Sequence, residues 1–293
     1  MGRRRSIHGL RIVITGASQG IGKALALAAA RHGGRVLATA RNAKLLDELA
    51  QAANPSGGCI EVIPADVANP ADRQRMVQTA IDRFGGADIL INNAGIGATG
   101  HFVDVSPDRL RQIMEVNFFG LTETTRAFLP LLRLGRRPAI VNISSIAGKR
   151  GIPARSEYSA SKFAVQGFSE ALRAELDKDG IDVLLVCPGL TQTNFSQNMI
   201  ERKALMAVDH MRGMTAEDVA EATLKAIERG RRETVFTFEG KLMAFVARFL
   251  PGLADRIAAR KVRSLFKDEI EARRQQRTST TPGAETHQAS APS

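Results

Sequence analysis

The chain has few Cys and His residues and no long apolar run, and so lacks the features of disulfide-rich, metal-binding and membrane-spanning proteins. Its 293 residues include two Cys and five His, and nothing groups them at the spacing of zinc ligands, so no metal site is expected. Cys59 and Cys187 lie in separate apolar runs, and we interpret both as buried thiols in a reducing, cytoplasmic setting. The apolar run 12–14 is too short for a signal peptide, and no run approaches the roughly 18–20 apolar residues that span a bilayer.

Positive charge is in excess and unevenly placed. The formal net charge is +11, and much of the excess lies in residues 1–11 and 255–277. Basic ends of this kind favour contact with an anionic surface, although plain solubility explains them equally well. No recognised nucleic-acid module and no aromatic stacking set accompanies them, so a nucleic-acid partner is not expected.

Aromatic residues other than Phe are almost absent. There are 13 Phe, no Trp and a single Tyr, Tyr158, which suggests that this phenol is present for its hydroxyl rather than for packing. Lys162 follows four residues later, so a helix would place both side chains on one face. An ammonium beside a phenol lowers the pKa of the phenol and suits it to acid–base chemistry. The alternative is a half-buried Tyr beside a solvated Lys.

Short β-branched runs alternate with longer helical patterns. The predicted strands are 11–15, 35–39, 60–63, 88–91, 139–143, 182–187 and 234–237. The predicted helices are 20–32, 43–52, 70–84, 107–134, 157–178 and 216–229. Because the strand runs are almost continuously apolar and alternate with helices, they predict an α/β fold with a parallel sheet covered on both faces.

The two ends differ from this alternating part. Residues 1–8 form a basic N-terminal arm, and the predicted domain covers 9–239. Residues 240–267 have the pattern of two short amphipathic helices broken at Pro251, and 268–293 is polar and predicted to be disordered. The amphipathic extension would make peripheral contact with a membrane or border the substrate entrance, and an oligomer contact is the alternative.

A glycine-rich turn joins the first predicted strand to the first predicted helix. The run Thr15–Gly22 has the spacing G-x-x-x-G-x-G, which favours a nucleotide site over a mere tight turn because pyrophosphate can approach the helix N-terminus closely. At the end of the second strand, Ala40 stands where a carboxylate would bind a 2′-hydroxyl, and Arg41 follows. NADP(H) is therefore expected rather than NAD(H), unless Arg41 is an ordinary solvated residue.

Further motifs follow the later strands. The ordered set is Thr15–Gly22, Asn92–Gly95, Asn117, Ser144-Ser145, Tyr158 with Lys162, and Pro188-Gly189. This set strongly resembles the short-chain dehydrogenase/reductase family, in its single-domain form, over about residues 8–240. The resemblance implies a Rossmann-type doubly wound sheet of about seven strands, in the order 3-2-1-4-5-6-7. It also implies a homodimer or homotetramer that interconverts a carbonyl and a secondary alcohol.

The resemblance implies catalytic roles for four residues. Tyr158 would be the general acid/base, Lys162 would lower its pKa and hold the nicotinamide ribose, and Ser145 would hydrogen-bond the substrate oxygen. Ser144 would then be a structural neighbour. Asn117 would hold a water in a proton relay to Lys162, although taken alone it could be a buried polar group satisfied by backbone.

A set of cofactor-binding residues also follows from the resemblance. They are Gly16, Ser18, Gln19, Gly20, Ile21, Gly22, Arg41, Asp66, Val67, Asn93, Ala94, Gly95, Tyr158, Lys162, Pro188, Gly189, Thr191 and Thr193. Among them, Asp66 and Val67 would contact adenine, Asn93–Gly95 would pack on the adenosine side, and Thr191–Thr193 would fix the carboxamide. Singly, Asp66 could be a helix cap and Asn93 a turn residue.

The segment after the sixth strand, about 194–214, would cover the substrate. Its Met residues are Met199, Met206, Met211 and Met214. With Ile96, Ile152 and Phe195 they predict an apolar carbonyl or alcohol substrate of lipid, steroid or terpenoid type, unless these side chains only pack within this segment. The competing functions are a 3-oxoacyl-carrier-protein reductase and a non-catalytic NADP(H)-binding regulator. The intact catalytic set argues against the regulator.

Overall fold

Seven strands form one parallel sheet in the computed structural model, which describes residues 4–53, 59–203, 213–265, 267, 270–272 and 275. In chain order all strands, including four outside this sheet within the described residues, are β1 Arg11–Thr15, β2 Arg35–Ala40, β3 Cys59–Pro64, β4 Ile89–Asn92, β5 Ala98–Thr99, β6 Ala139–Ile143, β7 Asp182–Cys187, β8 Thr191–Gln192, β9 Glu201–Arg202, β10 Met214–Thr215 and β11 Glu233–Val235. The sheet order is β11-β7-β6-β4-β1-β2-β3, and every pairing is parallel. The predicted α/β fold and strand order are confirmed.

Helices cover both faces of this sheet. In chain order the helices of the described residues, including those away from the sheet, are α1 Gly20–Arg31, α2 Ala43–Ala53, α3 Pro70–Phe84, α4 Pro107–Met114, α5 Gly120–Arg133, α6 Ser156–Glu175, α7 Ala216–Glu228, α8 Phe238–Phe249 and α9 Pro251–Leu265. Ile12 and Ile14 of β1 pack in one apolar layer with α1, α2 and α7, whereas Val13 packs in the other with α3, α5 and α6. Successive strand residues point to opposite faces, which is why the strand runs are apolar throughout.

The helix predicted at 107–134 is interrupted by a single π-helical turn. This turn, Glu115–Phe119, lies between α4 and α5 and contains the buried Asn117. A π turn inserts one extra residue into an otherwise helical path and often marks a functional position. The apolar spacing of the sequence does not reveal it, because the residues on either side keep a helical pattern.

One expectation about the edges of the fold needs correction. Cys59, predicted to be buried, is exposed, because it begins β3 at the edge of the sheet. Residues 1–8 were predicted to form a basic N-terminal arm, and in its described part Arg5 is buried and pairs with Asp182. Its amide also donates to Glu228 O at 3.0 Å. The described part of the arm therefore packs on the domain.

The C-terminal extension forms the two helices that the sequence predicts, with Pro251 beginning the second. Their exposed apolar side chains are Phe238, Leu242, Phe245, Phe249, Leu250, Leu253 and Ile257. The tail predicted to be disordered, 268–293, falls almost entirely outside the described residues. Two short parallel pairs, β5–β9 and β8–β10, lie outside the main sheet. The sequence does not predict them, since two-residue strands carry no readable periodicity.

Candidate active site

A cavity of about 1110 Å³ opens at the carboxyl ends of the parallel strands, where ligands bind in open α/β sheets. All of the predicted cofactor residues line it: Gly16, Ser18, Gln19, Gly20, Ile21, Gly22, Arg41, Asp66, Val67, Asn93, Ala94, Gly95, Tyr158, Lys162, Pro188, Gly189, Thr191 and Thr193. Ser145 lines the same cavity. The fold therefore brings the predicted cofactor residues together with three of the four predicted catalytic residues, Ser145, Tyr158 and Lys162, around one cavity.

The turn between β1 and α1 allows a close approach to the backbone. Gly16 and Gly20 have φ angles of 66° and 55°, in the left-handed region that favours glycine. α1 begins after Gln19 without a side-chain cap, so the first amides of the helix and its positive dipole end are available to an anion. These residues fit the pyrophosphate of a dinucleotide cofactor.

Asn93 fixes this turn against the end of β4. Its Nδ2 donates to Thr15 O and to Gly16 O, each at 3.0 Å. The Thr15 hydroxyl oxygen in turn accepts from Asn93 N at 3.0 Å and from Ala94 N at 3.1 Å. Asn93 therefore holds two cavity loops in register, a role that the turn-residue interpretation of the sequence did not include.

The carboxyl ends of β2 and β3 border another part of the cavity. Ala40 ends β2 and is buried, and the exposed Arg41 follows it on the cavity wall. Asp66 Oδ1 accepts from Ala68 N at 2.9 Å, which closes a local turn, and the Asp66 amide donates to Asp72 Oδ2 at 2.8 Å. The charged group at the end of β2 is thus a guanidinium and not a carboxylate.

Tyr158 lies in the first turn of α6, half-buried in the cavity wall. Burial raises the pKa of its phenol, while a hydrogen bond with Ser145 and the charge of Arg155 act to lower it. Ser145 Oγ accepts from Ala147 N at 3.1 Å, which leaves the serine proton available to another oxygen. Tyr158 and Ser145 therefore place two adjacent hydroxyls at the cavity.

Lys162 lies one helical turn after Tyr158 and is 5% exposed. Its Nζ donates to Ile143 O at 3.0 Å, and burial lowers the pKa of the ammonium to about 8. The sequence predicted that Lys162 lowers the pKa of Tyr158. That effect stays a prediction: Lys162 Nζ lies 5.7 Å from the centre of the phenol ring and donates to Ile143 O.

Asn117 is fully buried and is not among the residues that line the cavity. Its Oδ1 accepts from Ile96 N at 2.8 Å, and its Nδ2 donates to Ile96 O and to Ser161 Oγ, each at 3.0 Å. The side chain joins the loop after β4 to α6. A Cβ added at Gly95 would lie 3.3 Å from Asn117 Oδ1 and 3.6 Å from Lys162 Nζ, so the amide and the ammonium approach the same glycine. The water relay stays a prediction.

Apolar side chains cover part of the cavity. Those predicted from the sequence are Ile96, Ile152, Phe195, Met199 and Met214. The Phe195 ring packs on the Tyr158 ring, with centroids 5.8 Å apart. Met206 and Met211, which were predicted to join them, lie outside the described residues.

Reasoning from the sequence missed several cavity residues, among them Arg155, Glu239 and Met243. Arg155 precedes Tyr158 by three residues, and its charge acts on the phenol. Glu239 and Met243 belong to α8, so the C-terminal extension reaches the cavity wall. The amphipathic pattern predicted α8 but not which of its residues would turn inward.

Comparison with known proteins agrees with this geometry. The profile of the family described as short chain dehydrogenase matches residues 11–204. The chain belongs to the short-chain dehydrogenase/reductase family. It is 35% identical over 277 residues to dehydrogenase/reductase SDR family member 7B of Bos taurus, covering 91% of this chain and 85% of that protein. It is 37% identical over 224 residues to the 3-ketodihydrosphingosine reductase of Bacteroides thetaiotaomicron, covering 75% and 77%.

A solved short-chain dehydrogenase/reductase has the same architecture. The enzyme from Burkholderia phymatum, crystallised in complex with NAD, superposes with a TM-score of 0.78 at 25% identity. The match covers 85% of this chain and 96% of that one. The chain is thus an oxidoreductase of this family. Within the described ranges, no helix combines the length and the apolar character needed to cross a bilayer.

Proposed function

We propose that this short-chain dehydrogenase/reductase interconverts a carbonyl and a secondary alcohol on an apolar small molecule, using NADP(H). The observation that carries the proposal is the placement of Tyr158 and Ser145. Both side chains line a cavity that is also lined by the glycine-rich turn from Gly16 to Gly22 and by an apolar wall. This arrangement suits acid–base chemistry on a substrate oxygen beside a bound nucleotide.

The chain's own residues account for the proton transfer in this proposal. Ser145 donates a hydrogen bond to the substrate oxygen, and Tyr158 gives its proton to that oxygen in reduction or takes it in oxidation. Lys162 connects α6 to the end of β6, and Asn117 connects α6 to the loop after β4, beside the phenol. A bound nicotinamide nucleotide would supply or accept the hydride. The cradle from Gly16 to Gly22 would hold its pyrophosphate, which fits the uncapped start of α1.

The end of β2 supports NADP(H) over NAD(H). Arg41 lies on the cavity wall directly after the buried Ala40, at the position that contacts the adenosine 2′ group in folds of this kind. A guanidinium binds a phosphate through paired charge-assisted hydrogen bonds, whereas a ribose hydroxyl there is usually bound by a carboxylate. The Burkholderia phymatum structure contains NAD, so the family resemblance alone does not choose between the two cofactors.

The substrate side of the cavity supports an apolar compound. Phe195, Met199 and Met243 present ring and thioether surface there, and flexible Met side chains adapt to irregular apolar ligands. One relative is named as a 3-ketodihydrosphingosine reductase, and that name describes the reduction of a ketone. The alternatives are a 3-oxoacyl-carrier-protein reductase, which the basic charge would suit, and a regulator without turnover.

A substrate panel separates these functions. NADPH oxidation should be followed with ketones graded by apolar size, with an acyl carrier protein-bound 3-oxoacyl chain, and with small polar ketones. We expect kcat/KM to rise with apolar size. Strong preference for the carrier-bound chain would favour the carrier-protein enzyme, and preference for small polar ketones would contradict the apolar substrate. Tight NADPH binding without turnover of any compound would favour the regulator.

We further propose that α8 and α9 make peripheral contact with an anionic membrane surface. Phe245 and Phe249 are 56% and 61% exposed, and their rings are in tilted contact with centroids 4.7 Å apart. Over 238–265 there are six Lys or Arg and two acidic residues. Exposed apolar rings flanked by cations are what interfacial helices offer to anionic lipid. Since Met243 of α8 lines the cavity, a substrate dissolved in the bilayer would enter beside this surface.

Vesicle co-sedimentation tests the membrane contact. The full chain should sediment with vesicles containing phosphatidylserine and much less with neutral vesicles. The double variant Phe245→Glu/Phe249→Glu should lose this binding. Phe102→Glu, which changes another exposed Phe (69% exposed) outside these helices, serves as control. Unchanged sedimentation of the double variant would contradict the proposal, and a change in its oligomeric state instead would assign this face to contact between copies.

The oligomer implied by the family resemblance remains a proposal. Phe119, at the start of α5, and Phe163 of α6 are 48% and 45% exposed, and these helices are where the family's subunit contact is expected. Sedimentation velocity of the wild type and of Phe163→Glu tests it. A homodimer or homotetramer that dissociates in the variant is expected, and a wild-type monomer would contradict it.

A further inference from the structure

An arginine outside the cavity connects two elements of the proposed site. Arg109 lies in α4 and is 4% exposed. Its Nε and Nη2 donate to Glu157 Oε1 at 3.0 and 2.7 Å, and its Nη1 donates to Glu201 Oε2 at 3.0 Å. One guanidinium therefore joins the residue directly before Tyr158 to strand β9.

The Glu157 side of this cluster is rigid and charged. Glu157 is 3% exposed, and its Oε2 accepts from Ser156 Oγ at 2.9 Å. Burial acts to raise the pKa of Glu157, but hydrogen bonds from its own backbone, Arg109 and Ser156 hold the pKa below its ordinary value. A buried carboxylate paired in this way keeps the start of α6, and hence Tyr158, in one position.

The Glu201 side is only partly covered. The Glu201 side chain is 25% exposed, and its Oε1 pairs with Lys203 Nζ at 2.7 Å. Besides this pair, β9 is held to β5 by backbone hydrogen bonds, from Ile200 N to Gly97 O at 3.0 Å and from Lys203 N to Thr99 O at 2.9 Å. Two-residue strands are weak by themselves, so β9 also depends on side-chain contacts: the pair of Glu201 with Arg109, and the hydrogen bond from Lys203 Nζ to Asp104 O at 3.2 Å.

The chain that leads into β9 forms the apolar wall beside Tyr158. A Cβ added at Gly97 would lie 2.8 Å from Phe195 Cζ and 3.8 Å from Met199 Cγ. Both side chains line the cavity. We call residues 194–203 the covering segment. Its position therefore decides how closely Phe195 and Met199 approach a substrate on the phenol.

The local backbone also makes room for the guanidinium. Gly100 has a φ of 158°, and a Cβ added there would lie 2.9 Å from Arg109 Nη1. Its amide donates to Ala154 O at 2.9 Å, four residues before Tyr158. β5, α6 and β9 thus meet around one buried cation.

We propose that Arg109 is a positioning residue that keeps the covering segment closed against Tyr158 through its pair with Glu201. This proposal deepens the function proposed above and rests on it for the identity of the substrate. Loss of the Glu201 carboxylate leaves the covering segment attached by the β5–β9 backbone bonds and by the hydrogen bonds of Asn198 to Gln19 and of Lys203 to Asp104, and lets it open more often. Substrate binding is then weakened, and most strongly for the compounds that touch most of Phe195 and Met199.

Amide hydrogen exchange tests, without any substrate, whether the Arg109–Glu201 pair (the clamp) keeps the covering segment closed. In Glu201→Gln, exchange of the Ile200 and Lys203 amides should become about tenfold faster, because the carboxylate charge that pairs with Arg109 Nη1 and Lys203 Nζ is lost. Asp108→Asn is the matched control, because Asp108 pairs with Arg111 on the exposed face of the same helix, with side chains 90% and 78% exposed. It should leave both amides unchanged. Equal exchange in wild type and Glu201→Gln would overturn the proposal, whatever the enzyme does to ketones.

Kinetics then connects the clamp to the reaction. Glu201→Gln should raise KM for large apolar ketones about tenfold and leave kcat and the NADPH dissociation constant within about twofold. A purely structural loss would instead lower kcat for every substrate alike and would lower thermal stability. That result would contradict the proposed role of the Arg109–Glu201 pair. If exchange responds as predicted and the wild type reduces no ketone, the proposed function fails while the clamp stands. Arg109→Lys, which keeps the charge but not the fork, should fold and show the same rise in KM.

Discussion

Gly22 faces the carbonyl oxygen of Gly16 so closely that an added Cβ would lie 2.2 Å from that oxygen. The same Cβ would lie 2.4 Å from Asn93 Nδ2. The start of α1 thus packs directly on the turn that precedes it, with the Asn93 amide between the two. The shape of the proposed phosphate cradle depends on the absence of a side chain at this position.

Gly22→Ala should therefore abolish cofactor binding. The methyl group meets backbone on one side and the Asn93 amide on the other, so the turn must open, and the NADPH dissociation constant should rise at least about a hundredfold. Gly167→Ala is the matched control, since it lies in α6 with nothing within 4 Å of an added Cβ. It should bind NADPH normally and gain about 0.5–1 kcal/mol of stability. Isothermal titration calorimetry measures the NADPH dissociation constants of both variants. Normal binding by Gly22→Ala would contradict the proposed phosphate cradle.

Arg41 should determine the choice of cofactor. Arg41→Ala removes the guanidinium from the cavity wall beside Ala40, so NADPH should bind about 10–100-fold more weakly while NADH binding stays unchanged. Lys44→Ala removes an exposed cation three residues later that does not line the cavity, and it should alter neither affinity. Fluorescence titration with both nucleotides checks this. Equal loss of NADPH and NADH affinity, or no loss at all, would remove the assignment to NADP(H).

The ammonium of Lys162 should make stability depend on pH. Burial lowers its pKa from 10.5 to about 8 in the folded chain. Between these two values the unfolded chain binds more protons at this site than the folded chain, so wild-type stability should rise with pH across that window. Relative to Lys162→Met, the free energy of unfolding should increase by about 2 kcal/mol between about pH 7.5 and about pH 9.5.

Urea unfolding of both proteins at the two pH values measures this difference. The Lys162→Met protein corrects for every other titrating group, including Tyr158, whose pKa burial raises. Parallel pH dependence in wild type and variant would show that Lys162 is not held as a buried ammonium. It would also remove the physical reason for its proposed place beside the phenol.

The architecture was predictable from the sequence because local signals agreed with one another. Strands covered on both faces are apolar throughout, and glycine positions such as Gly16 and Gly20 report backbone constraints that no other residue meets easily. The lone Tyr158, followed by Lys162 at helical spacing, indicated the helix that carries the proposed acid–base group. Each of these signals lies within one short stretch of chain.

The features that were missed depend on contacts between distant parts of the chain. Glu201 meets Arg109 across 92 positions, and no periodicity links them. Burial raises the pKa of Tyr158, and burial is a property of the assembled site. Cys59 is exposed because β3 lies at the sheet edge, although its sequence neighbourhood is apolar. The π turn at Asn117 is likewise hidden within a helical pattern.

The most direct test of the central claim is turnover of an apolar ketone by Tyr158→Phe, measured as NADPH oxidation beside NADPH binding. The substitution removes one hydroxyl and keeps the ring that packs on Phe195. We predict that kcat falls by about 10²–10⁴-fold, the contribution typical of a general acid, while the NADPH dissociation constant stays within about twofold. Turnover close to that of the wild type would contradict the claim that the Tyr158 hydroxyl donates the proton.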